Sequence, residues 1–262
     1  MTIYLDLTRE FNSSRLRAVI CSGQAAVLHR LAMASKDGDW ILREDRESLS
    51  HVLGVLSTHG ARYRFGAPLD LRWMCAGWSA HFEFQRHGSR VRTDFFTRPP
   101  RVAAVDLARM WAEQEGRDPP FTDARMFAQM KKTDRQKDYP FIGEIARRME
   151  NPRDRLLFSR SAEDLIAMAG EHADLLQSLC AERPLLARVG TDRRALAEAL
   201  QLEMLDLMEL NERRLNSYRA ASSAWAASWP ALSRELEELP LVEAHALMLS
   251  RASGLLPERV AT

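Results

Sequence analysis

The chain has 262 residues, 46% of them hydrophobic and 28% charged, so it can bury a core and is neither a disordered tail nor a disulfide-stapled miniprotein. Its 37 basic residues nearly balance 36 acidic ones, and a net charge of +1 excludes a histone-like protein whose whole surface is built for nucleic acid. Cys21, Cys75 and Cys180 are widely spaced and form no CxxC pair, which argues against a disulfide framework or structural zinc and for a reducing compartment.

Met1 to Glu10 carries acids and no basic stretch ahead of an apolar run, so no secretory signal is expected. No apolar run reaches the roughly 18 residues of a membrane span, and the expectation is a soluble, cytoplasmic protein with no membrane partner. Ala18 to Cys21 is predicted as a short buried strand running into Ser22-Gly23, and Gln24 to Ala32 has helical apolar spacing. Asp37 to Leu42 is predicted as a second strand with a polar mouth. Leu49, Val52, Leu53 and Leu56 mark one face of a helix over 46–59, stopped at Gly60. Strands are predicted over Leu71–Ala76, Ala80–Gln85 and Arg90–Phe96, and Pro99-Pro100 closes the sheet region.

Beyond Val102 the pattern turns helical. Helices are predicted over 105–111 and 123–132, with Pro140 breaking or kinking a segment that runs to Arg148, and then near 162–182, 191–220, 222–238 and 240–253. Residues 1–150 hold 24 basic and 19 acidic groups, net +5; residues 151–262 hold 13 and 17, net −4. Composition shifts with charge, from β-type runs punctuated by Gly, Pro and Asp to Ala, Leu, Glu and Arg. The expected fold class is therefore α/β (α+β): a mixed sheet with flanking helices over 1–150, then an all-helical domain over 151–262. The stripe Leu200, Met204, Leu207, Met208 reads as core.

Three features carry chemistry. Asp37 and Asp39 are two apart, so on an extended strand both carboxylates project to one side, as hard oxygen ligands for Mg²⁺ or as part of a solvated loop. Asp94 lies in an apolar strand, where an acid needs an Arg partner or a metal. Ser22-Gly23 ends a strand and opens a helix, either as an ordinary turn or as a place where backbone approaches a phosphate.

The order strand, Ser-Gly, amphipathic helix, Asp-x-Asp on a second strand, then a later strand with one more Asp resembles the nucleotidyltransferase fold of the polymerase-beta type. The likeness is to the minimal bacterial group related to the AbiEii toxins, over about residues 18–148. Ser22-Gly23 takes the place of that family's Gly-Gly or Gly-Ser pair, Asp37 and Asp39 that of its metal-binding acids, and Asp94 that of its third acid. The stretch Lys131-Lys132-Thr133-Asp134-Arg135-Gln136-Lys137-Asp138 looks like the Lys and Arg-x-Lys-Asp segment these proteins carry after the sheet. Members often show Arg-x-Thr before Asp-x-Asp; here Met33 and Ser35 stand at those positions, with Arg30 or Lys36 as substitutes for the charge.

The resemblance implies a Mg²⁺-dependent enzyme, with two ions held by Asp37, Asp39 and Asp94, that moves a nucleoside monophosphate from an NTP to a hydroxyl on RNA such as tRNA, on protein or on a small molecule. Ser22, Gly23, Lys36, Lys132 and Lys137 would hold the nucleotide. Toxin-type relatives also imply a cognate antitoxin as partner. The competing reading is a non-catalytic nucleotidyltransferase-like protein whose helical half binds a protein. The basic segment reads equally as a solvated helix end paired with Asp134 and Asp138. His81 reads as a half-exposed strand residue before it reads as a base. Eight Arg against three acids over 61–101, with Tyr63, Trp73 and Trp78 interleaved, read as an RNA groove or as Arg pairing around core aromatics.

Overall fold

The computed structural model describes residues 2–190 and 192–260. Met1, at the head of the N-terminal segment, and Thr191, the expected first residue of the long helix, lie outside them. A five-stranded mixed sheet is built from β1 (Ala18–Ile20), β2 (Gly38–Leu42), β3 (Arg62–Gly66), β4 (Ala80–Arg86) and β5 (Ser89–Phe96) in the order β1-β2-β5-β4-β3. β2 and β5 run parallel; the other neighbours are antiparallel. The alternation along β4 and β5 gives the sheet two characters. Phe82, Phe84, Val91, Thr93 and Phe95 are buried, while His81, Glu83, Arg92 and Asp94 between them are half-buried on the other face.

The apolar face is closed by α1 (Thr2–Phe11), which the sequence reading left without an element. Phe11 meets the rings of Trp40 and Phe95 edge-on at 5.3 and 5.6 Å, and Trp40 stacks on Phe95 at 5.4 Å. The buried Trp40 indole donates to Thr8 Oγ1 at 2.9 Å, which satisfies its one polar atom. α3 (Arg46–Thr58) falls where expected, capped by Asp45, which accepts from Ser48 N; α2 (Ser22–Leu28) begins two residues earlier and ends four earlier than the expected Gln24–Ala32.

Two strand expectations change. Leu71–Ala76 is not a strand: Asp70 accepts from Arg72 N as an N-cap and starts a short helix, α4 (Leu71–Met74), that buries Trp73 and Met74. The missing sheet edge is β3, whose Arg-rich sequence hid an apolar side made of Tyr63 alone. Further on, α5 (Ala104–Gln114), α6 (Ala124–Met130), α7 (Tyr139–Ala146), α8 (Pro152–Phe158), α9 (Ala162–Glu171), α10 (Ala173–Leu179), α11 (Arg193–Ala221), α12 (Ser223–Glu237) and α13 (Leu241–Leu255) complete the chain. Pro140 opens α7 rather than kinking it, since the first turn needs no N–H. The helix expected over 162–182 breaks at His172. Among the described residues no helix is long and apolar enough to cross a membrane.

The chain divides into two compact units, Met1–Thr122 with Leu215–Thr262, and Asp123–Arg214, so the expected boundary near 150 falls inside the second. The first unit holds the whole sheet. In it, α12 and α13 lie along β3: the Trp225 indole donates to Gly66 O at 3.0 Å and the Tyr63 hydroxyl meets His245 Nδ1 at 2.7 Å.

Gly38, between the two candidate acids, has a packing reason. A Cβ there would lie 2.4 Å from Trp40 Cη2 and 2.5 Å from Tyr4 Cδ1. Gly38→Ala is therefore expected to destabilise the fold by about 1–3 kcal/mol through overpacking. The measurement is a lowered urea midpoint at unchanged slope; an unshifted midpoint would mean the ring stack yields without strain.

Candidate active site

Strand register builds the site. Asp39 on β2 stands opposite Asp94 on β5, and Asp94 stands opposite His81 on β4. Partners in register project to the same face, so these three share the polar side of the sheet. Arg92, two residues before Asp94, shares it too. Asp37 lies in the bend leading into β2 with its carboxylate 3.8 Å from Arg92 Nη1. The Tyr4 hydroxyl feels the acids together: burial, then the charge of Asp37, then those of Asp39 and Asp94, push its pKa upward.

Asp94 has specific partners. Its Oδ1 accepts from Arg64 Nη2 at 2.7 Å and lies 2.8 Å from His81 Nδ1, while His81 Nε2 lies 2.8 Å from Ser79 Oγ. Burial alone would raise the Asp94 carboxyl; the hydrogen bond and charge of His81 and those of Arg64 hold it below the usual range instead. It therefore stays ionised near neutral pH. The sequence allowed an Arg partner for Asp94, and the structure supplies one from a different strand. Arg64 is the extra residue where register passes from Tyr63 opposite Phe82 to Phe65 opposite His81, and such a bulge re-aims a side chain. His81, read as a plain strand residue, turns out to brace the acid.

Ser22 and Gly23 lie beside Asp37. Cys21 N donates to Asp39 O at 2.9 Å, and Gln24 Nε2 donates to the carbonyls of Ser35 and Asp37, each at 3.2 Å. Ser35 Oγ donates to Asp37 O at 3.1 Å. Gly23 packs against that hydroxyl so closely that a Cβ would stand 2.2 Å from it. The start of α2 is thus fastened to the bend carrying Asp37. Ser22 has φ of 51°, in the left-handed region that favours glycine, at the position where the resembled family has Gly. Lys36 presents its carbonyl to the Tyr4 hydroxyl at 2.6 Å and its side chain to solvent.

No family model, curated protein or solved structure matches the chain.

The basic segment belongs to the second unit. Lys131 Nζ bonds Asp138 Oδ1 at 3.0 Å with both residues buried, and Thr133 and Arg135 donate to Oδ2 at 2.7 and 2.9 Å. Burial would raise Asp138; Lys131, Thr133 and Arg135 draw it below the usual carboxylate range. Lys132 Nζ lies 4.6 Å from the centre of the Phe158 ring, a cation–π distance. Lys137 is exposed in the short turn Gln136–Asp138.

Among the described residues no three His, Cys, Asp or Glu side chains are gathered into a metal-holding group. The donor chemistry nonetheless suits a hard cation. Asp37 Oδ1 is shielded from solvent with no hydrogen-bond donor, and a carboxylate oxygen in that position is stabilised by a cation. Asp39 stands beside Asp94 in register, and both contacts to Asp94 fall on Oδ1, which leaves Oδ2 engaged by neither.

Proposed function

We propose that the chain is a nucleotidyltransferase-like enzyme that moves a nucleoside monophosphate from an NTP to a hydroxyl acceptor. The observation that carries this reading is the register of Asp39 with Asp94 on adjacent parallel strands, with Asp37 at the mouth of the first. Paired acids in that setting serve in-line phosphoryl displacement. Asp37, Asp39 and Asp94 are the residues that would hold Mg²⁺, which would supply charge neutralisation for the triphosphate. Asp94, kept ionised by Arg64 and His81, offers Oδ2 to the acceptor hydroxyl and takes its proton as the oxygen bonds the α-phosphorus, the α–β bridging P–O bond breaks and pyrophosphate leaves. Ser22 and Gly23 border the same mouth, where the resemblance puts the nucleotide. Lys132 and Lys137 are proposed to bind it on the resemblance alone. tRNA is the proposed acceptor, and a toxin paired with an antitoxin the proposed setting.

A second reading is favoured by the commitment of Asp94 Oδ1 to Arg64 and His81 and by the Arg92 guanidinium near Asp37. Acids neutralised by protein cations suit a nucleotidyltransferase-like protein without catalysis, whose helices bind a protein partner. The two separate in one assay. Wild-type protein is incubated with each α-labelled NTP, Mg²⁺ and either total tRNA or protein extract. Label on one acceptor that disappears with EDTA supports transfer; no label on any acceptor supports the binding protein.

A further inference from the structure

The polar face of the sheet has an unfilled set of cation donors. Arg64 Nε and Arg92 Nε are both shielded from solvent and without a hydrogen-bond partner. Each guanidinium uses another nitrogen on an acid of the site: Arg64 Nη2 bonds Asp94 Oδ1 at 2.7 Å, and Arg92 Nη1 lies 3.8 Å from Asp37 Oδ1. Glu83 Oε2 lies 4.0 Å from Arg92 Nε, beyond hydrogen-bond range. Orphaned buried donors are costly, and each of these two sits on an arginine that already contacts an acid of this face, so an anionic ligand that accepts from them would relieve the cost.

We propose that Arg64 and Arg92 form a phosphate clamp beside the acids and take the phosphate oxygens of a nucleoside triphosphate. Guanidinium presents a planar fork matched to phosphate geometry, and the bulge at Arg64 swings its fork towards the row that holds Asp94. Arg98, on the same strand's extension, shows the contrast: its Nε and Nη2 are filled by Glu44 at 2.7 and 2.6 Å. This inference rests on the transfer reading for the identity of the ligand, while the binding itself is measurable without turnover.

The test is titration calorimetry of the full chain with inorganic triphosphate, without Mg²⁺ and at low salt. Wild type is expected to bind, Arg64→Gln and Arg92→Gln each to bind at least about tenfold more weakly, and Arg98→Gln to change affinity less than about twofold. Equal affinity of wild type and both Gln variants, at unchanged melting temperature, overturns the clamp, as does a wild type that binds no triphosphate. An oligoribonucleotide is the second probe: if it binds through the two Arg while triphosphate does not, the nucleotide assignment is wrong. If a Gln variant does not fold, Arg64→Lys and Arg92→Lys keep the charge and lose the fork. They are expected to bind at least about threefold more weakly, and wild-type affinity in both overturns the proposal. Triphosphate binding lost in the Gln variants, together with no label transfer by wild type, leaves the clamp standing and removes the transfer reading. Label transfer at wild-type rate and KM by the Gln variants does the reverse.

Discussion

Asp39→Asn is expected to lower label transfer at least about a hundredfold while leaving the fold within about 1 kcal/mol of wild type. Asn keeps the size and one accepting oxygen but removes the charge beside Asp94 and replaces the second oxygen, a ligand for a cation, with an NH₂ donor. The expected signature is a drop in kcat that excess NTP does not restore. Glu83→Gln is the matched control, because Glu83 sits on the same face and neighbours Arg92 without standing in register with Asp39. Equal transfer by wild type and Asp39→Asn would falsify the assignment of the acids. Loss of transfer in both variants would point to the net charge of the face rather than to Asp39.

Much of this arrangement was legible in the chain because it rests on short-range rules. Alternation of His81, Glu83 and Gln85 against Phe82 and Phe84 gave β4, and the Asp-x-Asp spacing gave two acids near one strand mouth. What stayed hidden depends on strand order and register. No local signal says that β5 lies beside β2, so Asp94 could be placed near Asp39 only by family resemblance. Arg64 was invisible as its partner, because a bulge adds one residue to β3 and no pattern of apolar residues marks it. α4 was misread for a related reason: Leu71 to Ala76 is apolar enough for a buried strand, and the Asp70 cap that decides for helix weighs one hydrogen bond against that pattern. Composition changes near 150, whereas the compact units divide at 122 and 214, with the helices from 123 onward packing among themselves.

The largest stability effect is expected in the second unit, from Glu203→Ala. Glu203 accepts from Arg183 Nε and Nη2, both at 2.8 Å, and from Arg160, while Arg183 also donates to the carbonyls of Leu156 and Ser159 at 2.7 and 2.9 Å. The Arg183 and Arg160 side chains are only 7% and 14% exposed, so removing the carboxylate leaves two buried guanidinium groups against each other. Breaking a buried pair in this way costs about 3–5 kcal/mol. Burial would raise Glu203, but Arg183, Arg160 and Lys132 hold it below the ordinary 4.5. The sign follows: a depressed carboxyl contributes stability that is complete above 4.5 and is lost as pH falls through the folded value. Wild type and Glu203→Ala should therefore differ most near neutral pH and converge in acid, where protonation removes the same charge. All six Trp lie in the first unit, so the two probes separate the effect. Far-UV circular dichroism of Glu203→Ala is expected to show helix loss at lower urea than the Trp fluorescence change. A coincident shift of both probes would mean that the two units unfold as one cooperative body, with the cost of the orphaned arginines spread over the whole chain.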